Sequence, residues 1–294
     1  MRRLRRDAHA IAGHTEHAEP LRALTAARVV TFGQSRDADV RLESVDATIT
    51  GTDVALSVAA GVAPSGGAGT STSKGASAAQ RMEIRSPLLG RPNAYNVAAA
   101  TAASIALGVP SDAVARSLAT VRGVPGRFER IDEGQSFTVL VDYAHTDDAL
   151  KNLLMAVRDL RPRRVLTVFG CGGDRDRGKR PLMGFAAADG SDIVIVTSDN
   201  PRSEDPMAII QEILPGIRRS ITGDPRGRAE QDRCLVIPDR KEAIRRAVSL
   251  AEERDCVVIA GKGHETYQIL GERTVPFDDR EVARDALRRL GAPA

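Results

Sequence analysis

VLTVFGCGGDRDRGKRPLMGFAAADGSDIVIVTSDNPRSED, running from Val165 to Asp205, decides how this chain is read. Two β-branched apolar runs, VLTVFG and DIVIVTS, each break at the carboxyl end into a strongly charged loop. In open α/β sheets ligands lie in the crevice outside the carboxyl ends of parallel strands, so two such loops predict one shared site. The loops carry groups of both signs. Arg175 and Arg202 offer guanidinium forks suited to carboxylates, while Asp174, Asp176 and Asp199 offer acceptors suited to ammonium groups. A zwitterion satisfies both.

Outward from this stretch, apolar runs and helical patterns alternate. FTVLVDY, VLTVFG, DIVIVTS, CLVIP and CVVIAG read as strands, and DDALKNLLMAVRDL, PLMGFAAAD, DPMAIIQEIL, DRKEAIRRAVSLAEE and DDREVARDALRRL as the helices that follow them. Five such repeats predict an α/β domain with a Rossmann-like, doubly wound, mostly parallel sheet over residues 123–294. Residues 28–122 differ. RVVTFG, ADVRLESV, DVALSVAAG and MEIRSP predict short antiparallel strands, and the Gly/Ser/Ala/Thr-rich tract 61–80 a flexible connection between two of them. LLGRPNAYNVAAATAASIALGVP predicts a helix from near Asn93 to Gly108, and Ser111 or Asp112 should cap a second one reaching about Thr120. Asn93 and Asn96, three apart, share a face. Residues 1–27 stay unassigned, and His14-x-x-His17 has no third ligand at a metal-site spacing.

Composition sets the outer bounds. With 294 residues and 42% hydrophobic content, two ordinary domains can each bury a core. Acidic residues (39) nearly match basic ones (42) and aromatics are only 3%, which argues against a nucleic-acid binder. Three scattered cysteines predict no disulfide framework and a reducing compartment. The Ala-rich run from Val97 to Val109 is too short to span a bilayer, so a cytoplasmic protein without membrane contact is expected.

Three further loops carry chemistry. Gly173-DRDR-Gly178-Lys179 has the spacing of a phosphate loop, but Arg180 stands where a hydroxyl residue would ligate Mg²⁺, and Asp174 and Asp176 put negative charge where phosphates need N–H groups. It reads as part of the zwitterion site instead. In DNPRSEDP (199–206), Pro201 drives Asn200 out of the α region and stiffens a corner that presents Asp199 and Arg202. AGKGHET (260–266) adds Gly261 for close backbone approach and Glu265 as a carboxylate. His145 and His264 have no Ser or Cys partner, so no catalytic residue is assigned.

PGRFERI, VDYAHTDDAL, VFGCGGDRDRGKRPLMG, SDNPRSEDP and AGKGHETYQI, in this order from Leu88 to Leu290, together resemble the rear portion of the Mur ligase family, in the branch that attaches meso-diaminopimelate. The resemblance implies that residues 123–294 form the amino-acid-binding domain and 28–122 the rear of the central ATPase domain. It implies ATP-dependent amide formation on UDP-MurNAc-L-Ala-D-Glu in peptidoglycan biosynthesis, with ATP and Mg²⁺ as cofactors, small molecules as the only partners and a monomer as the working form. By motif position, Arg175, Asp199, Asn200, Pro201, Arg202, Gly261 and Glu265 resemble the diaminopimelate site. Asn93 and Asn96 resemble adenine-side residues, Asp142 the ribose-binding acid, and Arg127 an arginine near the phosphates. Pro92 and Asp147 depart from the family pattern beside those nucleotide positions. No G-x-x-x-x-G-K-[ST] occurs in the 294 residues, and the family's Mg²⁺ ligands fall outside them, so the polypeptide alone is expected to be inactive.

Overall fold

A computed structural model describes residues 25–62, 79–222 and 230–291, together with the backbone of 9–13. It divides into two compact units, Met1–Arg122 and Gly123–Ala294. The His14/His17 pair and most of the 61–80 tract lie outside the described residues.

The first unit is a five-stranded sheet in the order β1 (His9–Gly13), β2 (Arg28–Gly33), β3 (Val40–Thr48), β4 (Gly51–Val58) and β5 (Gln80–Ser86). Two expectations are corrected here. His9–Gly13, in a segment left unassigned, is a strand parallel to β2. Its HAIAG sequence is too short and too poor in β-branched residues to announce itself. The strands expected to be antiparallel throughout are so only from β3 onward, because β2 and β3 pair in parallel, through Phe32↔Val40 and Gly33↔Arg41. With so short a ladder, side chains hold the connection: the Asp39 carboxylate accepts from Thr31 N and Oγ1, and Thr31 Oγ1 accepts from Asp39 N.

Helices α1 (Gly90–Ala106) and α2 (Ser111–Leu118) complete this unit. Ala94, Ala98 and Ala102 lie at helical spacing, fully buried, and share a core with Val97, Ile105, Leu56, Met82 and Ile84. Helix α1 starts three residues before the expected Asn93, so Asn93 sits at the end of its first turn and Pro92 in the first turn, where the missing N–H is harmless. Pro110, with no side-chain cap, precedes α2 in place of the expected Ser111 or Asp112 cap.

The second unit is a six-stranded sheet ordered β10 (Cys234–Val236), β9 (Ile193–Val196), β8 (Val165–Phe169), β11 (Cys256–Ala260), β7 (Thr138–Asp142) and β6 (Glu129–Ile131), parallel except for β6 at the edge. Strands β7, β8 and β11 are buried on both faces, which is why they read as continuous apolar runs. One face, through Val139, Val141, Leu166, Val168, Val257 and Ile259, packs on α7 (Arg240–Leu250) and α8 (Asp279–Gly291). Helices α3 (Asp147–Asp159), α4 (Lys179–Gly190) and α5 (Pro206–Ile221) pack side by side as a second group. A four-residue helix, α6 (Glu230–Arg233), leads into β10. Strand β11 inserts between β8 and β7, so the chain reverses its direction of travel across the sheet beside β8, the place where an α/β sheet opens a crevice. A feature the sequence does not announce, the antiparallel hairpin β12 (Tyr267–Leu270) and β13 (Arg273–Pro276), sits between β11 and α8.

Capping follows local chemistry. Thr146, Asp205 and Asp239 each accept a backbone N–H three residues on, at 3.2, 2.8 and 3.0 Å, and start α3, α5 and α7. Asp147, the departure from the family pattern, is the first residue of α3, where a carboxylate favours the positive helix end.

Helices α4 and α5 touch backbone to backbone. A methyl group on Gly184 would overlap the Ile213 carbonyl, and one on Gly216 the Pro181 carbonyl. Gly216→Ala should therefore lower the unfolding free energy by about 1–3 kcal/mol through overpacking. Urea denaturation checks this, and an unchanged midpoint would contradict the close crossing.

Candidate functional site

A cavity of about 510 Å³ opens outside the carboxyl ends of β7, β8, β9 and β11. Arg175, Asp199, Asn200, Arg202, Gly261 and Glu265, six of the seven residues expected at the zwitterion site, line it. The seventh, Pro201, is behind the wall: a methyl group on Gly173 would overlap its carbonyl, so it supports the β8 loop and does not face the cavity.

Asn200 joins the surrounding loops. Its Nδ2 donates to Glu265 Oε2 at 3.0 Å, its Oδ1 accepts from Lys262 Nζ at 3.1 Å and Ile269 N at 3.0 Å, and its backbone carbonyl accepts Gly173 N at 2.9 Å. Arg202 adopts φ 52°, unusual for a residue with a side chain, and is held there by the β12–β13 hairpin: Arg202 N donates to Ile269 O, and Gly271 N to Arg202 O. Its Nη1 donates to Gly173 O at 2.8 Å, leaving Nε and Nη2 without a partner among the described residues. Arg175, exposed, reaches only the Asp174 carbonyl, at 3.2 Å. Guanidinium groups and carboxylates thus line one cavity.

Asp174, expected to face an ammonium group, organises the loop instead, whereas Asp176 lines the cavity and also braces the loop. Asp174 accepts from Ser203 N and Oγ, which lowers its pKa, and Asp176 Oδ1 accepts from Gly178 N. The N–H groups of Gly173, Asp174, Gly178, Lys179 and Arg180, at the two ends of the segment with phosphate-loop spacing, are bonded within the protein.

Two groups at or near the cavity are not foreshadowed by the sequence. Lys262, fully buried, extends its ammonium to Glu265 Oε2 at 3.0 Å, Asn200 Oδ1 at 3.1 Å and Asp199 Oδ1 at 3.5 Å. Arg180, 1% exposed, binds Glu204 at 2.7 and 2.9 Å and Glu212 at 2.7 Å. A lysine in a Gly-rich loop and an arginine after a charged one both read as solvated; the acids that answer them, Glu265 and Asp199 for Lys262 and Glu204 and Glu212 for Arg180, are brought in by the fold. Burial raises the Asp199 pKa, opposed by Arg240 and Lys262. Burial pushes the Cys171 thiol, also at the cavity wall, up to about 12, so it stays protonated and is no nucleophile.

The residues assigned to a nucleotide fall in both units. In the first, Asn93 Nδ2 donates to Leu89 O, and Asn96 Nδ2 to Asn93 Oδ1, a chain that ends at the exposed Asn96 amide. In the second, Asp142 uses both oxygens on backbone, accepting Phe128 N and Ala144 N at 2.8 Å each, and burial raises its pKa. Arg127 lies 4.4 Å from the centre of the Tyr143 ring. Among the described residues there is no group of three or more His, Cys, Asp or Glu side chains that could hold a metal. No helix among them is long and apolar enough to cross a membrane.

The parallel-rich sheet of the second unit resembles the Mur ligase C-terminal domain, and residues 126–263 match the family described as Mur ligase, glutamate ligase domain. The chain belongs to the Mur ligase family. It is 56% identical over 212 residues to the UDP-N-acetylmuramoyl-L-alanyl-D-glutamate–2,6-diaminopimelate ligase of Solibacter usitatus, covering 72% of this chain and 41% of that protein. It is 46% identical over 268 residues to the ligase of the same name from Geobacillus kaustophilus, covering 91% and 49%. A solved structure of a 2,6-diaminopimelate ligase superposes with TM-score 0.67 at 34% identity, covering 97% of this chain and 54% of that one. The folylpolyglutamate synthase of Mycobacterium tuberculosis, at 22% identity and TM-score 0.57, shares the fold. The chain spans about half the length of the curated relatives it matches.

The Arg180 cluster makes a pH prediction. Its hydrogen bonds, and a further one from Asp174 N, hold the Glu204 carboxyl at about 2, below its ordinary 4.5. A depressed pKa means that the stabilisation is complete above the unfolded value and is lost as pH falls through about 2. Urea midpoints of the wild type should fall between pH 4.5 and 2 more steeply than those of Arg180→Met. Equal slopes would show that Glu204 is not held by Arg180.

Proposed function

We propose that residues 123–294 bind the free amino acid meso-diaminopimelate and that the chain serves its ATP-dependent ligation to UDP-MurNAc-L-Ala-D-Glu, a cytoplasmic step of peptidoglycan synthesis. The observation that carries this reading is a single cavity lined by Arg175 and Arg202 and by Asp199 and Glu265. The names of the Solibacter and Geobacillus relatives agree with it. In this reading Arg175 and Arg202 take ligand carboxylates, Asp199, Asn200 and Glu265 form the end that takes an ammonium, Gly261 lets backbone approach, and Pro201 stiffens the corner. Residues 28–122 are the rear of the central ATPase domain. Asn93 and Asn96 lie toward adenine, Asp142 toward ribose and Arg127 toward the phosphates of ATP, and the protein works as a monomer.

The amine that forms the amide must attack as a free base, and the cavity gives it surroundings that fix its position. Asp199 and Glu265 hold one ammonium of the amino acid, and the guanidinium groups orient the opposite end, so the second amine is presented in a defined direction. ATP supplies the activation of the carboxyl partner. This chain's own contribution is placement, which converts an encounter into a near-unimolecular attack.

A second reading, an amino-acid-binding module without turnover, is favoured by the Gly173–Lys179 loop, where the Gly173, Asp174, Gly178 and Lys179 N–H groups are bonded within the protein. The 294-residue polypeptide is expected to release no ADP when given ATP, UDP-MurNAc-dipeptide and diaminopimelate. ADP release dependent on all three would rule the second reading out.

Arg202 separates the intended ligand from its nearest mimic. Diaminopimelate differs from lysine by one carboxylate, which Arg202 can receive through its unused Nε and Nη2 as a charge-assisted pair. Such a contact contributes about 1.5–3 kcal/mol, and the unpaired alternative is disfavoured by a similar amount, so a preference of roughly one to three orders of magnitude is expected. Calorimetric titration of the full chain with each amino acid should show that preference, and Arg202→Ala should abolish most of it. Equal affinities before substitution would make the corner a structural turn and the ligand assignment wrong.

A further inference from the structure

We infer that Lys262 is the internal counter-charge of the amino-acid site: it leaves the buried cluster around Asp199 with one net negative charge, so that one ligand ammonium completes it without a proton changing hands. The inference rests on the amino-acid reading above and says how that end of the cavity is tuned.

The cluster is closed enough to count. Asp199, Lys262, Arg240 and Asp279 are 7%, 0%, 2% and 0% exposed, and the Glu265 side chain is 19% exposed. Arg240 pairs with Asp279 through both carboxylate oxygens at 2.8 Å and donates to Ala260 O, which makes that pair neutral. Lys262 faces the remaining two acids, Asp199 and Glu265, and one negative charge is left. Cys171, whose thiol stays protonated, adds none. The groups that act on Asp199 are thus Arg240 from α7, Lys262 and Glu265 from the β11 loop, Asp279 from α8, and Cys171 from the β8 loop.

Lys262 is a positioning residue and no ligand contact. It does not line the cavity, and its three N–H bonds have three acceptors, all on residues that do: Glu265, Asn200 and Asp199. Because Asn200 Oδ1 accepts from Lys262 and from Ile269 N, the amide can turn only its Nδ2 toward Glu265, which fixes that carboxylate. The buried Asp199 and the partly exposed Glu265 without Lys262 would repel and one would take up a proton at neutral pH, since burial already works against the charged form of Asp199. The incoming ammonium would then have to displace that proton.

Calorimetric titration of the full chain with meso-diaminopimelate at neutral pH, in two buffers of different ionisation enthalpy, reads the proton directly. The wild type should exchange none; Lys262→Met should release about one proton and bind about tenfold or more weakly. Lys262→Arg keeps the charge and should release none, even where its bulk lowers affinity. Lys262→Met/Glu265→Gln restores the balance and should release none. If Lys262→Met does not fold, the double variant must fold, and its failure to do so overturns the inference. Proton-neutral binding by a folded Lys262→Met also overturns it. A ligand-free arm separates this from the wider reading: the Asp199 carboxyl carbon, followed by NMR, should titrate near neutral pH in Lys262→Met and not in the wild type. A wild-type chain that binds no diaminopimelate sinks the amino-acid reading, and the titration then decides the charge balance alone.

Discussion

The side chain and carbonyl of Asn200 are the point on which the second unit's crevice depends. One buried amide meets the β11 loop through Lys262 and Glu265, the hairpin through Ile269 N and the β8 loop through Gly173 N. None of these loops could hold its shape by apolar packing, because each is polar and short. A buried amide whose oxygen accepts two donors and whose nitrogen holds a carboxylate is a rigid joint, and one left without those partners is a liability, so the joint and the loops stand or fall together. Pro201 contributes from behind by fixing the backbone that follows, and Gly173 by letting the β8 loop lie directly on it.

Charge in this unit is handled by closure into small groups. Arg240 and Asp279 neutralise each other where water is absent. Arg177 and Arg180 share Glu204 and Glu212, two cations against two anions. Leaving one partner of such a group alone in the interior is disfavoured by several kcal/mol, roughly. The Asp199 group differs from these because it does not close by itself. An interior that balances its charges elsewhere and leaves one unbalanced beside a cavity has a place for a cation, and Arg175 and Arg202, which line the same cavity, have places for anions.

The sequence discloses those parts of the fold whose physics is local. Strands buried on both faces appear as apolar runs, and Thr146, Asp205 and Asp239 mark helix starts by their own side-chain chemistry. The loops at the strand ends also show themselves, because an apolar run that breaks into charge marks the point where the backbone leaves the core. What stays hidden depends on distant partners. The hairpin Tyr267–Pro276 is short and half exposed, so no apolar alternation gives it away; it exists because Asn200 and Arg202 supply hydrogen bonds to its edge. The parallel pairing of β2 with β3 depends on the Thr31–Asp39 clasp, and His9–Gly13 becomes a strand only because β2 is beside it. Asp174 resembles a ligand acceptor in the sequence because its loop partner, Ser203, has no pattern of its own. Lys262 is hidden for the opposite reason: lysine is nearly always solvated, and only three acceptors gathered from two loops overturn that expectation.

Arg202 shows how the arrangement can select a ligand. A residue with a side chain at φ 52° is in a sparsely populated region, at a cost of order 1–3 kcal/mol, and such backbone persists only where its surroundings over-determine it. The hairpin supplies two backbone hydrogen bonds to Arg202, and Gly173 O takes one guanidinium nitrogen. With backbone and one end of the fork fixed, the remaining donors lose little rotamer freedom when an anion arrives. Selectivity between two otherwise similar amino acids then comes from whether the ligand brings a carboxylate to donors already in place. A flexible arginine on an ordinary loop would lose much of the same interaction to ordering itself, so the strained backbone, the hairpin and the proposed preference for the second carboxylate are parts of one device.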